Sequence, residues 1–287
     1  MWALRVVWIL LPLVAGPAAA GALRGWSRAP RVLAETLLWL SWATVLVSVL
    51  APRPLGLTAA RVIAPAFLGV AIAGAWGASA WQSALAIAMA TVAAVLVTRP
   101  AFARCCAEGI AYGDELRFPL KVPPALAVGA APIATLLVAA GVATGPLLLA
   151  SGHLAAGAFA TVIGVPLSVF LFRSLHVLSM RWAVLVPAGV TLVDPMTLAD
   201  PVLFMRERIA GITAAAVRPG DGPLDLRLGA SVGALALRLT DDAQILTAGR
   251  GRRAGEKVNT HVLVFAPVEG DALLHAMARR AGQRETT

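Results

Sequence analysis

Along the first 172 residues the apolar side chains fall into six nearly unbroken stretches, 6–23, 32–50, 62–76, 81–98, 122–149 and 154–172, with no strand-like alternation inside them. A helix that crosses a bilayer needs about 20 mainly apolar residues, so each stretch predicts a span. The third is short and turns through Gly77-Ala78-Ser79-Ala80 into the fourth. An alternative with five spans treats the first stretch as a signal sequence, with Ala18-Ala19-Ala20-Gly21 as the small-residue cleavage site. Pro12, Pro65, Pro132, Pro146 and Pro166, among the prolines within the stretches, read as packing kinks. Ser41, Thr44, Ser48, Thr91, Thr135 and Thr161 read as helix-contact residues.

Beyond Arg173 the pattern changes to short β-prone runs separated by turn residues. Arg181 to Val186 and Val190 to Val193 flank Pro187-Ala188-Gly189, and Asp194-Pro195 closes the second run. Further strands are expected at 202–204, 208–214, 224–228, 234–239 and 261–266. Leu224, Leu226 and Leu228 alternate with Asp225 and Arg227, as do Leu235, Leu237 and Leu239 with Ala236 and Arg238. That is the period of an antiparallel sheet with one wet face. Asp241-Asp242 reads as a turn. A terminal helix follows, with Asp271 at its start, Leu274, Met277, Ala278 and Ala281 on one face, and Arg279 and Arg280 near its carboxyl end.

Composition agrees with this division. The 287 residues are 59% hydrophobic and 14% charged, with a mean hydropathy of +0.80, against roughly 25% charged in soluble domains. One water-soluble globule is therefore excluded. Ten basic and four acidic residues precede Arg173, and fourteen and eleven follow from it, so charge density rises sharply there. The expected architecture is a membrane all-α bundle of about six transmembrane helices (1–172) followed by a small α+β, barrel-like cytoplasmic domain with a C-terminal helix (173–287). The segment from about Arg181 is expected to fold by itself as a largely β domain.

The net charge of +9 comes from 22 Arg and two Lys against 15 acids. Basic residues favour the cytoplasmic side of short loops. Arg99, Arg104, Arg117 and Lys121 crowd one loop, whereas the turns at Ser79 and Ser151 have none. This orients Ser79 and Ser151 outward, and Cys105 and everything after Arg173 inward, in the plasma (inner) membrane. Arg24, Arg28 and Arg31 conflict with the assignment, because they then lie outside. The eight tryptophans, Trp2, Trp8, Trp26, Trp39, Trp42, Trp76, Trp81 and Trp182, mostly fall at span ends and read as interfacial anchors.

Two tracts carry a family resemblance. Ala111-Tyr112-Gly113-Asp114-Glu115-Leu116-Arg117-Phe118-Pro119-Leu120, and 181–204 with Val186-Pro187-Ala188-Gly189 and Ala199-Asp200-Pro201-Val202-Leu203-Phe204, resemble cytoplasmic segments of uncharacterised actinobacterial multi-spanning membrane proteins. The order of strands and final helix over 181–283 resembles a pleckstrin-homology-like domain. The resemblance implies the architecture and supplies no activity.

Candidate chemistry is sparse. Cys105 and Cys106 are neighbours, which seldom meet disulfide geometry, and read as reduced thiols. Glu108, Asp114 and Glu115 lack a converging nucleophile and read as partners of Arg104 and Arg117. His153, His176, His261 and His275 match no metal spacing, and no cofactor motif is present. Gly249-Arg250-Gly251-Arg252-Arg253-Ala254-Gly255 lacks the order of a phosphate loop. With Lys257 it forms a basic hairpin, so Arg250, Arg252, Arg253 and Lys257 are the candidate lipid-headgroup residues. Nucleic acid is not an expected partner, because basic patches interleaved with aromatics are missing. Two function classes remain. One is a non-enzymatic membrane scaffold or adaptor whose cytoplasmic domain binds lipid headgroups or a protein partner. The alternative is a small-molecule permease regulated by that domain.

Overall fold

A computed structural model describes residues 1–77, 79–215, 223–249 and 255–285. The chain forms two compact units, Met1–Cys106 with Ala130–His176, and Ala107–Gly129 with Val177–Thr287. The single break expected at 172/173 is thus replaced by three crossings, because the loop before the fifth span belongs to the second unit.

The first unit holds α1 (Trp2–Ala22), α2 (Arg28–Leu50), α3 (Pro54–Gly74), α4 (Ala80–Thr98), most of the short α5 (Pro100–Glu108), α6 (Ala131–Ala150) and most of α7 (Leu154–Ser179). Among the described residues six helices are long and apolar enough to cross a bilayer, which suggests a multi-pass membrane protein. Boundaries differ from the hydropathy pattern where polar residues sit inside a helix. The third span starts at Pro54, whose fixed φ and missing N–H suit the first helical position. This brings Thr58 and Arg61 inside it. The sixth continues to Ser179 through Arg173 and His176, and a π-helical turn, Leu126–Ala130, leads into α6.

The first stretch, α1, is a packed member of the bundle. Leu4, Trp8, Leu11 and Ala18 are buried in a core shared with α2, α3 and α4. Trp8 and Trp42 are therefore not both interfacial anchors. The Trp8 indole donates to the Trp42 carbonyl at 2.9 Å, and the Trp42 indole donates to the Trp8 carbonyl at 2.8 Å. The second bond has a cause in sequence. Pro12 lies four residues after Trp8 inside α1 and has no N–H to close the helical bond to that carbonyl. Trp42 supplies the missing donor from the neighbouring helix.

Small residues set the α6–α7 contact. A Cβ on Gly141 would meet the Gly164 carbonyl oxygen at 2.7 Å and collide with the Ser168 hydroxyl. A Cβ on Gly145 would meet the Thr161 nitrogen at 2.7 Å. Gly141-Val142-Ala143-Thr144-Gly145 is a GxxxG stripe, the device by which membrane helices approach closely.

The second unit begins with β1 (Leu116–Pro119). It resumes after α7 with β2 (Trp182–Val186), β3 (Gly189–Val193), β4 (Val202–Met205), β5 (Ile209–Ala214), β6 (Leu224–Asp225), β7 (Leu235–Leu246), β8 (Lys257–Phe265) and α8 (Gly270–Glu285). Two sheets replace the expected one. The first runs β1-β2-β3-β4, antiparallel throughout; the second runs β5-β7-β8-β6, antiparallel apart from the two-residue β6, which lies parallel to β8. β1 falls in the loop read from sequence as a charged connection. Leu116 and Phe118 pair with Leu185 and Ala183, and Phe118 and Leu120 enter a core built from both sheets and α8.

Other expectations shift. β2 is wet on neither side: Ala183 and Leu185 face that core, while Trp182 and Val184 pack with Ala107, so Trp182 is no membrane anchor. The 224–228 strand ends after Asp225 because the chain turns, with Leu228 at φ 53° and Gly229 at φ 91°. Asp241-Asp242 is no turn but a register shift inside the long β7. On α8 the inward face is Leu273 and Ala276, flanked by Leu274 and Met277. The side chain of Ala281 lies outside the described residues. Arg280 is not at the helix end, which is Glu285; it donates to the Asp114 carbonyl.

The two sheets are joined at Arg181. Its Nε and Nη2 bind the two Asp194 oxygens at 2.7 and 2.8 Å. Nη1 donates to the Lys121 carbonyl at 2.8 Å and Nη2 to the Leu226 carbonyl at 3.2 Å. Both side chains are essentially sealed, at 1% and 0% exposure.

The Trp8–Trp42 pin is testable in the full chain in detergent. Trp42→Phe should lower unfolding stability by about 1–3 kcal/mol, the range for leaving a buried carbonyl unsatisfied. In a Pro12→Ala background, where a backbone N–H reaches Trp8, the same change should cost less. Equal costs in both backgrounds would remove the assigned link.

Candidate functional site

Three features are candidate sites: the basic hairpin, the cysteine end of the helical unit, and an apolar cleft. The hairpin joins β7 to β8. Its neck is rigid. Thr247 N–H donates to the Glu256 carbonyl at 2.9 Å, and the Thr247 hydroxyl donates to the same oxygen at 3.0 Å. Ala199 and Ala248 add backbone bonds to Leu246 and Thr197. Lys257 is exposed and opens β8 opposite Leu246. Arg250, Arg252 and Arg253 lie outside the described residues, so of the four candidates Lys257 alone has a described position.

The acidic cluster separates. Glu115 pairs with Arg117 at 2.9 Å, and the Arg117 guanidinium also lies 5.2 Å from the Trp182 ring centre. The hydrogen bond from Arg117 holds the Glu115 carboxyl below the usual range. Asp225 is opposed by its own burial. Side-chain and backbone hydrogen bonds from Arg227 outweigh that and draw its carboxyl down. These contacts are structural. The histidines are dispersed: His176 Nδ1 lies 3.0 Å from the Thr58 hydroxyl, and exposed His261 lies 3.3 Å from Asp242. Among the described residues no three His, Cys, Asp or Glu side chains gather as a metal site.

Cys106 is buried against the bundle core, while Cys105 is half-buried. Burial, reinforced by Cys105 and partly offset by Arg61 and the Arg53 backbone N–H, pushes the Cys106 thiol up to about 12. A nucleophilic cysteine needs the opposite shift, so Cys106 is a packing residue.

The helical unit has a cleft of about 770 Å³ lined mainly by α2, α3 and α6, with the end of α1 and Phe172 at its edges. Its walls are almost entirely apolar, with alanine and glycine such as Ala34, Ala66, Gly69 and Ala73 interspersed among larger aliphatic side chains. An adjoining cleft of about 230 Å³ shares Leu38, Phe67 and Val70 with it. The cleft is open at one side. Sequence reading missed it, because its signal is alanine and glycine on facing helix sides, which hydropathy scores as ordinary span.

No protein family, curated protein or solved structure matches the chain.

The cysteine assignment predicts alkylation order. Only the thiolate reacts, and burial keeps the Cys106 thiol protonated at pH 8. Iodoacetamide on the folded protein should modify Cys105 at least about 10-fold faster than Cys106, with both equal after denaturation. The folded state raises this pKa, so its contribution to stability is complete below about pH 9 and is lost as pH rises toward 12. Site-resolved mass spectrometry reads the order; equal native rates would contradict it.

Proposed function

We propose that this chain is a non-enzymatic membrane adaptor whose sheet unit, a pleckstrin-homology-like module, is held at the cytoplasmic face of the plasma membrane and meets anionic lipid headgroups through the β7–β8 hairpin. The observation that carries the reading is the splice. β1 ends at Pro119 shortly before the fifth span begins at Leu126, and β2 begins at Trp182 just after the sixth ends at Ser179. The unit is therefore tied to the spans by chain on both sides of one helical hairpin, not by a single flexible tail. Such tethering raises local lipid concentration, so weak contacts suffice to orient a module.

Charge supports the headgroup reading. Each basic residue near an anionic surface contributes about 1 kcal/mol, and Arg250, Arg252, Arg253 and Lys257 fall within eight residues of sequence. The spans favour an adaptor over an ion-coupled carrier. Among the described residues, the charged side chains of the six helices, Arg5, Arg28, Arg31, Glu35, Arg61 and Arg173, lie within about two turns of a helix end. Coupled transport places such groups mid-membrane.

The test uses the full chain in nanodiscs, with a fluorophore on Ala248→Cys in a Cys105→Ser background and brominated lipids as quenchers. Quenching should be strong in anionic discs at low salt. It should fall as salt shortens the Debye length below about 8 Å, and fall likewise when all four basic residues become alanine. If the four-alanine variant is quenched like the parent, headgroup binding by the hairpin is wrong and a protein partner on the sheets becomes the better assignment.

A further inference from the structure

The apolar cleft and three misplaced arginines explain each other. The cleft extends along α2 from Ala34 to Thr44, a rise of about 15 Å. That is about half of a hydrocarbon core of roughly 30 Å, the depth of one leaflet's chains. Trp26 stands at one end of it. Arg24 and Arg28 flank Trp26 by two residues on either side, and both are exposed. Arg31 is neutralised by Glu35 at 2.9 Å. Among the described residues neither the Arg24 nor the Arg28 side chain has a carboxylate partner.

In the topology that arginine counts favour, these residues lie on the side where basic residues are disfavoured. A local anion accounts for them there. We propose that the α2–α3–α6 cleft holds an acyl chain of one anionic phospholipid, whose phosphate is met at the Trp26 end by Arg24 and Arg28. Both halves of such a ligand have a counterpart: an uncharged, leaflet-deep slot, and two exposed arginines without a carboxylate partner placed two residues either side of Trp26, which lines it. Arginine suits phosphate because its planar fork donates two hydrogen bonds at once. The Trp26 indole adds an amphipathic surface at headgroup depth. This site involves none of the sheet unit and stands or falls separately from the hairpin.

Gly69 offers a clean way to close the slot. It lines the cleft, and a Cβ built there meets nothing within 4 Å. Leucine is also a better helix former than glycine. Ala73, one turn further along the same wall, provides a second variant by Ala73→Leu.

The experiment titrates the full chain, delipidated in neutral detergent, with phosphatidylglycerol or with phosphatidylcholine of the same chains. Native mass spectrometry counts retained lipid, and thermal unfolding reads stabilisation. One equivalent of phosphatidylglycerol should be retained with a saturable rise in Tm, at a half-saturation about 10-fold or more below that of phosphatidylcholine. Gly69→Leu and Ala73→Leu should each abolish retention while the lipid-free Tm stays at or above the parent's. If either fails to fold, the other carries the test. Arg24→Gln with Arg28→Gln should keep one lipid but bring the two headgroups within about 3-fold. Retention by the leucine variants equal to the parent's would overturn the proposal, leaving only a general lipid annulus. So would a parent that binds both lipids equally.

Discussion

The guanidinium of Arg181 is the point on which the sheet unit closes. It stands between the end of α7 and the start of β2, yet its five donors reach a carboxylate after β3, a carbonyl after β1 and a carbonyl after β6. Asp194 in turn accepts from the Met196 backbone N–H at 3.1 Å, which fixes the turn after β3. Removing one member of a buried pair leaves the other charge without solvent or partner, at a cost of about 3–5 kcal/mol. The bond to Lys121 matters most for architecture, because Lys121 lies on the far side of two membrane helices. A domain closed in this way contains chain from both sides of the α6–α7 hairpin.

The helical unit solves a different problem. In lipid no hydrophobic effect drives helices together, so association falls to close packing and to polar groups that need partners. Both occur here at named places. Pro12 frees the Trp8 carbonyl and Trp42 satisfies it from α2. Gly141 and Gly145 let α6 approach α7 until backbones touch. Elsewhere α2, α3 and α6 face one another without closing, and the result is the cleft between them. Packing residues and cavity residues are of one chemical type, distinguished only by what lies opposite.

The spans, the position of the strands β2 to β5 and the terminal helix were legible because each rests on local pattern: continuous apolar runs, turn residues, and the 3.6 period. Long-range choices were not. Leu116, Phe118 and Leu120 alternate as a strand should, but Glu115 and Arg117 beside them made the tract read as a charged loop. Only pairing with β2, more than sixty residues later, gives it a structure. Arg181 and Asp194 read as a strand start and a turn, since an ion pair between them is invisible until the sheets fold. Trp8 and Trp42 resembled anchors because indoles favour interfaces, and only Pro12 distinguishes them. Of the candidate headgroup residues, charge and glycine content were readable, whereas the lipid-sized cleft left no hydropathy signal.

The central claim, that one domain is built from two segments separated by a membrane hairpin, has a direct test. Leu120 N–H bonds the Arg181 carbonyl at 2.9 Å, so the ends left by deleting the hairpin are adjacent and a short Gly/Ser linker can join them. Two soluble polypeptides are compared by circular dichroism and thermal melting: 177–287 alone, and 107–124 linked to 177–287. The linked chain should give a β spectrum and a cooperative transition, while 177–287 alone, lacking Phe118, Leu120 and the Lys121 carbonyl, should show no cooperative melt. An equally cooperative melt from 177–287 alone, or none from the linked chain, would contradict the account.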